Sequence, residues 1–142
     1  MSRLHNACEE GNLELVKKLM NGKRLNINER DHYGFTSFHF ACRKGHLPIV
    51  EFLMKDNRLD INSKNCNGNN ALHLACWKWH HQIVEILIKD SRLDINIRNN
   101  YGDTPFHSAC YFGYLEIVKI LIKDARLDIN NQNKYVQDSR SP

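Results

Sequence analysis

Four histidine–cysteine pairs are the first residues that could carry chemistry: His5 and Cys8, His39 and Cys42, His73 and Cys76, His107 and Cys110. Three residues apart on a helix, each pair shares a face, and imidazole with thiolate is a zinc-type donor set. Paired CxxC spacing is absent, however, and a free cysteine behaves as a small buried hydrophobe. His80 and His81 are adjacent, so at a helix start they do not face one another. Arg24, Arg58, Arg92 and Arg126 form a ladder that could attract phosphate. Asp60, Asp94 and Asp128 follow two residues later, with Asn26 in the first case, and should blunt that field. Those aspartates recur with a loop and read as structural before catalytic. No nucleophile elbow, glycine-rich phosphate loop or carboxylate pair stands out. The expectation is a protein without catalytic residues, metal or cofactor.

The elements that position these residues follow from their spacing. His5, His39, His73 and His107 are 34 residues apart each time. Alanines 7, 41, 75 and 109 keep that interval, as do the four cysteines, leucines 19, 53, 87 and 121, and asparagines 28, 62, 96 and 130. Five columns in register make a tandem array. Within a unit, Phe38–Lys44 reads as a short helix stopped by Gly45. A second helix runs from about Leu47 to Met54, with Ile49, Val50, Phe52 and Leu53 on one face. An extended Arg58-Leu59-Asp60-Ile61-Asn62 then leads into Asn65-Cys66-Asn67-Gly68, whose Asn and Gly are the first and fourth residues of a type I turn. Asp31–Gly34 and Asn99–Gly102 repeat that turn.

The residues Thr104-Pro105-Phe106-His107-Ser108-Ala109, followed by Gly113-Tyr114-Leu115-Glu116-Ile117-Val118, resemble the ankyrin-repeat signature. Thr36–His39, Gly45–Val50 and Leu59–Asn62 match it too. The resemblance implies an all-α repeat solenoid of stacked helix-turn-helix-loop units with short hairpin-like turns. The units would be an N-terminal cap at 1–30, repeats at 31–64, 65–98 and 99–132, and a disordered tail at 133–142. It also implies that the motif histidines bond loop backbone and that the cysteines fill a small-residue position. Equivalent cysteines on successive units are too far apart to bridge, so reduced thiols and a cytoplasmic setting are expected.

Several positions depart from the signature. The second helix ends at Asp56-Asn57-Arg58, Asp90-Ser91-Arg92 and Asp124-Ala125-Arg126 rather than at glycine. Asp or Asn should therefore make that bend in left-handed geometry. Trp79 stands where Gly11, Gly45 and Gly113 stand, and His81 replaces a leucine. If that site needs positive φ, the tryptophan costs on the order of 1 kcal/mol. Asn6 and Lys18 are polar where later units are mostly apolar, which suits a cap. Ile117, Val118, Ile120, Leu121 and Ile122 keep the interior pattern in the last unit, and Val136 stands where its turn would need glycine.

In ankyrin arrays the turn tips and first helices line a concave surface. By resemblance the outward positions are Arg30, His32, Tyr33, Phe35, Arg43 and Lys44; then Lys64, Cys66, Asn67, Asn69, Trp77 and Lys78; then Arg98, Asn100, Tyr101, Asp103, Tyr111 and Phe112. Glu9 and Glu10 come from the cap, and Trp79 sits at the adjacent turn. Trp, Tyr and Arg are enriched at binding hot spots. Stacking should bring Trp77, Tyr111 and Phe112 side by side within a basic groove, suited to an acidic or amphipathic segment of a protein partner. The same family can be hydroxylated at the column of Asn28, Asn62, Asn96 and Asn130, although hydrogen bonding within the loop accounts for those residues.

Composition fits this reading. The 142 residues are 42% hydrophobic and 25% charged, with seven Gly, three Pro and a net charge of +4. Disordered, collagen-like and membrane-embedded classes are excluded, and no signal-peptide core opens the chain. The charge is too modest to favour nucleic acid as the partner. A non-enzymatic protein-interaction module is the leading expectation. A polyanion binder and a scaffold fragment of a longer array are the alternatives, and the protein is a monomer or self-associates through its last unit.

Overall fold

The computed structural model describes residues 1–22 and 24–130. The expected tail at 133–142, with the turn at Val136, lies outside the described residues. Eight helices of two turns each occupy the described residues: α1 Arg3–Glu10, α2 Leu13–Met20, α3 Ser37–Lys44, α4 Leu47–Met54, α5 Ala71–Trp77, α6 His81–Ile88, α7 Pro105–Phe112 and α8 Leu115–Ile122. They pair in sequence and stack in two layers, odd-numbered helices on one side and even-numbered on the other. The core is a single line of residues between the layers, including Ala41, Ile49, Leu53, Leu72, Ala75, Ile83 and Leu87.

Helices this short are marginal alone, so the starts of the odd-numbered helices are fixed by side chains. Thr36 Oγ1 accepts from the His39 N–H at 3.2 Å, while His39 Nδ1 accepts from the Thr36 N–H at 2.9 Å. Ser2 with His5, Asn70 with His73 and Thr104 with His107 form the same reciprocal box. The far nitrogen of the ring holds the loop. His5 Nε2 bonds the Glu29 and Phe35 carbonyls at 3.0 Å, His39 bonds Ser63 O at 2.7 Å, and His73 bonds Asp103 O at 2.8 Å. The histidines of the His–Cys pairs therefore act as braces within the fold. Burial pushes the Cys8 thiol up to about 12 and raises those of Cys42 and Cys76 as well, as befits thiols packed as small hydrophobes.

The turns close as Gly34 N–H to Asp31 O, Gly68 N–H to Asn65 O and Gly102 N–H to Asn99 O, at 2.9–3.0 Å. Neighbouring turns link through Cys66 N–H to Tyr33 O and Asn100 N–H to Asn67 O, at 3.0 and 2.9 Å. Behind them each loop asparagine grips the next unit. Asn62 Nδ2 donates to Arg92 O at 2.8 Å, and its Oδ1 accepts from the Asp94 N–H at 2.7 Å. Asn28 and Asn96 do the same to Arg58 with Asp60 and to Arg126 with Asp128.

Two expectations for the loop are corrected. The bend after the second helix is not left-handed: Lys55, Lys89 and Lys123 end their helices in right-handed geometry, and Trp79 alone among described non-glycine residues has positive φ. The aspartate side chain makes the bend instead, Asp56 Oδ1 accepting from the Arg58 N–H at 2.9 Å, with Asp90 and Asp124 alike. Arg58, Arg92 and Arg126 of the ladder are paired with these preceding aspartates, at 2.7–2.8 Å, and not with Asp60, Asp94 and Asp128. Each guanidinium beside its aspartate holds that carboxyl below the usual carboxylate range. Arg92 also donates to Met54 O at 2.7 Å and Asp56 O at 3.2 Å, and Arg126 to Ile88 O, tying one unit to the end of the preceding outer helix.

Candidate functional site

Surface character changes along the face built from the turn tips and odd-numbered helices. Near the N-terminus its side chains are largely committed to one another. Arg43 lies over Phe35 at 4.7 Å and Phe40 at 5.2 Å and reaches Glu9 at 3.8 Å. Phe35 stacks on buried Phe40 at 5.3 Å, so it packs the face as much as it presents one. Arg30 bends back to Gly34 O at 3.2 Å. His32 meets Tyr33 edge-on at 5.5 Å, both exposed, and Lys44 is exposed.

Toward the C-terminus a groove opens between α5 and α7, lined by Asn67, Asn69, Trp77, Tyr101, Ser108 and Phe112 with His73 and Leu74 at its base. Trp77 is 46% exposed and Phe112 44%. Lys78 sits over the Trp77 ring at 4.3 Å. Tyr111, more exposed still, touches Phe112 edge-on at 5.1 Å and does not line the groove. The polar rim is braced: Asn99 Nδ2 donates to Asn69 Oδ1 at 2.9 Å, Asn100 Nδ2 to Cys66 O at 2.8 Å and Lys64 Nζ to Arg98 O at 3.1 Å. Asp103 offers its backbone carbonyl to His73.

A neighbouring feature was not read from the sequence. At the turn between paired helices, Gly11 and Gly45 adopt φ of +80° and each carries an imidazole from the next unit. His46 Nε2 donates to Glu9 O at 2.9 Å and His80 Nε2 to Arg43 O at 2.8 Å. A Cβ on Gly11 or Gly45 would lie 2.6–2.7 Å from that ring, so the site demands glycine twice over. In the third unit Trp79 takes this place with φ of +71°, and its own Cβ occupies the seat. The residue facing it is Tyr114, not histidine. Its ring lies against Trp79 at 4.9 Å and stacks on Phe112 at 5.4 Å, and its hydroxyl reaches Trp77 O at 3.5 Å. A cleft of about 370 Å³ results, lined by Trp79, His81, Gly113, Tyr114, Leu115, Glu116 and Ile117. The signal available in the sequence was the column Asn12, His46, His80, Tyr114, which changes character one unit after its glycine partner does.

A family profile described as Ankyrin repeats (3 copies) matches residues 4–99 and, overlapping, 57–133. The chain belongs to the ankyrin-repeat family. Ankyrin repeats are in general protein–protein interaction modules, typically without enzymatic activity. No curated protein matches this ankyrin chain. Among the described residues no helix is long and apolar enough to cross a membrane, and no three His, Cys, Asp or Glu gather as a metal site. Three arginines of the ladder in this ankyrin array, Arg58, Arg92 and Arg126, are each held by an aspartate, while Arg24 is exposed.

Proposed function

We propose that this ankyrin array binds a partner protein on the concave face of its third and fourth units, with the groove between α5 and α7 as the centre. The observation that carries this reading is the pair Trp77 and Phe112, both open to solvent although large and aromatic, lining one groove with Tyr101. Exposed aromatics on a braced polar rim are the usual anatomy of an interaction hot spot. Lys64, Lys78 and Arg98 give the rim its positive charge, so an acidic or amphipathic segment fits best. Arg30, His32, Tyr33, Arg43 and Lys44 extend the surface toward the N-terminus. Lysate capture with wild-type and Trp77→Ala/Tyr101→Ala protein as bait tests it. Specific prey should fall at least tenfold for the variant while its melting temperature and helical dichroism stay close to wild type. Undiminished capture removes the groove from consideration.

A further inference from the structure

The paired change at Trp79 and Tyr114 is the most unusual local exchange in the array. At the other seams a glycine and a histidine fit together with no strain and a hydrogen bond of 2.8–2.9 Å. Here a non-glycine residue is held in left-handed backbone, the hydrogen bond is replaced by a phenol contact at 3.5 Å, and the indole is left 66% exposed. The exchange gives ring contacts in return for backbone strain and a weaker hydrogen bond, and sparsely populated backbone retained at such a site points to function. What the exchange produces is the cleft, floored by buried Ile117 and walled by Trp79, Tyr114 and exposed Leu115.

This cleft adjoins the concave groove. Phe112 lines the groove on one side and stacks on Tyr114, a wall of the cleft, on the other. Lys78 stands between the two in sequence, flanked by Trp77 of the groove and Trp79 of the cleft, and its ammonium is exposed over the Trp77 ring. Lys44 ends the neighbouring helix α3 and is also exposed. On the far rim, Glu116 is turned to Lys119 at 3.7 Å and His81 is exposed. Apolar, cationic and apolar surfaces therefore follow one another across the ends of α5 and α7.

We infer that the cleft is a second anchor point for the same partner. The partner segment crosses from groove to turn and places one apolar side chain between Trp77 and Phe112, an acidic residue against Lys78, and a second apolar side chain in the Trp79–Tyr114 cleft. The inference rests on the concave-face reading and adds to it the chemical order of the partner: apolar, acidic, apolar. Burial of the second side chain against Ile117 and two aromatic faces supplies affinity, and the lysine sets direction along the groove.

A displayed random-peptide library selected on the intact protein tests the order. Enriched peptides should carry two apolar residues bracketing Asp or Glu. One enriched peptide is then titrated against four proteins: wild type, Trp77→Ala/Tyr101→Ala, Trp79→Gly/Tyr114→His and Leu115→Lys. The Gly–His pair rebuilds the seam found elsewhere in the array, so it should melt at or above the wild-type temperature yet bind at least tenfold more weakly. Leu115→Lys, an exposed change at the cleft, should weaken binding similarly. Affinity lost only in the Trp77/Tyr101 variant overturns the cleft and leaves the groove standing. Loss only in the cleft variants overturns the groove as centre. Peptides of basic or unpatterned sequence, or affinity equal in all four proteins, overturn both.

Discussion

Asn70 caps α5 where Thr36 and Thr104 cap α3 and α7, and the three caps are not equal. With His73 Nε2–H donated to Asp103 O, its Nδ1 is an acceptor, yet it faces Asn70 Oδ1 at 2.8 Å. The buried Asn70 amide nitrogen finds no partner among the described residues. A threonine hydroxyl, as at Thr36 and Thr104, accepts from the histidine N–H and leaves no amide nitrogen to be satisfied. Asn70→Thr should therefore stabilise the protein by about 1 kcal/mol, read as a raised urea midpoint at unchanged slope. The same braces make stability depend on pH. Burial lowers His39 and His73 to about 4, below the ordinary 6.5. The unfolded chain thus binds protons first, and stability complete above pH 6.5 falls as pH drops toward 4. Each histidine contributes a slope of roughly 1.4 kcal/mol per pH unit in that window. Urea midpoints between pH 7 and 4.5 should fall steadily, and a flat profile would show that the rings take up protons as readily in the fold as in the unfolded chain.

At the scale of the element, the long loop ties each unit to the next alongside the helix packing. Asn62 makes two bonds across its seam, to Arg92 O and from the Asp94 N–H. Asn62→Ala leaves both backbone groups to find water, and should cost about 2 kcal/mol by urea unfolding. Asn130, the corresponding residue of the last unit, has no such seam among the described residues, so Asn130→Ala should change stability by less than about 0.5 kcal/mol. The helices were legible in the sequence because caps, glycine stops and apolar spacing are local. The turns were legible too, since Asp or Asn at the first position and Gly at the fourth carry a fixed geometry. The bend after the second helix was misread because an aspartate side chain can replace left-handed backbone, and composition does not distinguish the two. The arginine partners were misassigned for a similar reason: Asp56 and Asp60 lie equally close to Arg58, and only the folded loop chooses. The Trp79 strain could be inferred from a substituted glycine. The column that holds Tyr114 signals a change there, but its role depends on a ring contact with Trp79, 35 residues away in the neighbouring unit.

For the molecule as a whole, stability is a sum of units and nearest-neighbour seams. Among the described residues, the last unit is more exposed than the others. Cys110 is exposed where Cys8, Cys42 and Cys76 are buried, and Ile129 is 63% exposed where Ile95 is 2%. Amide hydrogen exchange should be slowest in α3 to α6 and measurably faster in α7 and α8, at every residue rather than at the ends alone. Uniform protection across all four pairs would mean that the terminal unit is covered in solution. Binding and stability then meet at one place, because the proposed groove and cleft both use the least supported unit as a wall. Ligand should slow exchange in α7 and α8 most.

The Gly–His fit also bears on how such an array can grow. A second copy of unit two inserted after the first would set His46 on Gly45, a pairing the array already uses at Gly11 and Gly45. Unit three cannot be copied that way, since its own His80 would meet the side chain of Trp79. The tryptophan and Tyr114 belong to different units and must be inherited together. A duplication or exchange whose boundary falls between them breaks the seam, so this one interface is a fixed landmark in an otherwise interchangeable series.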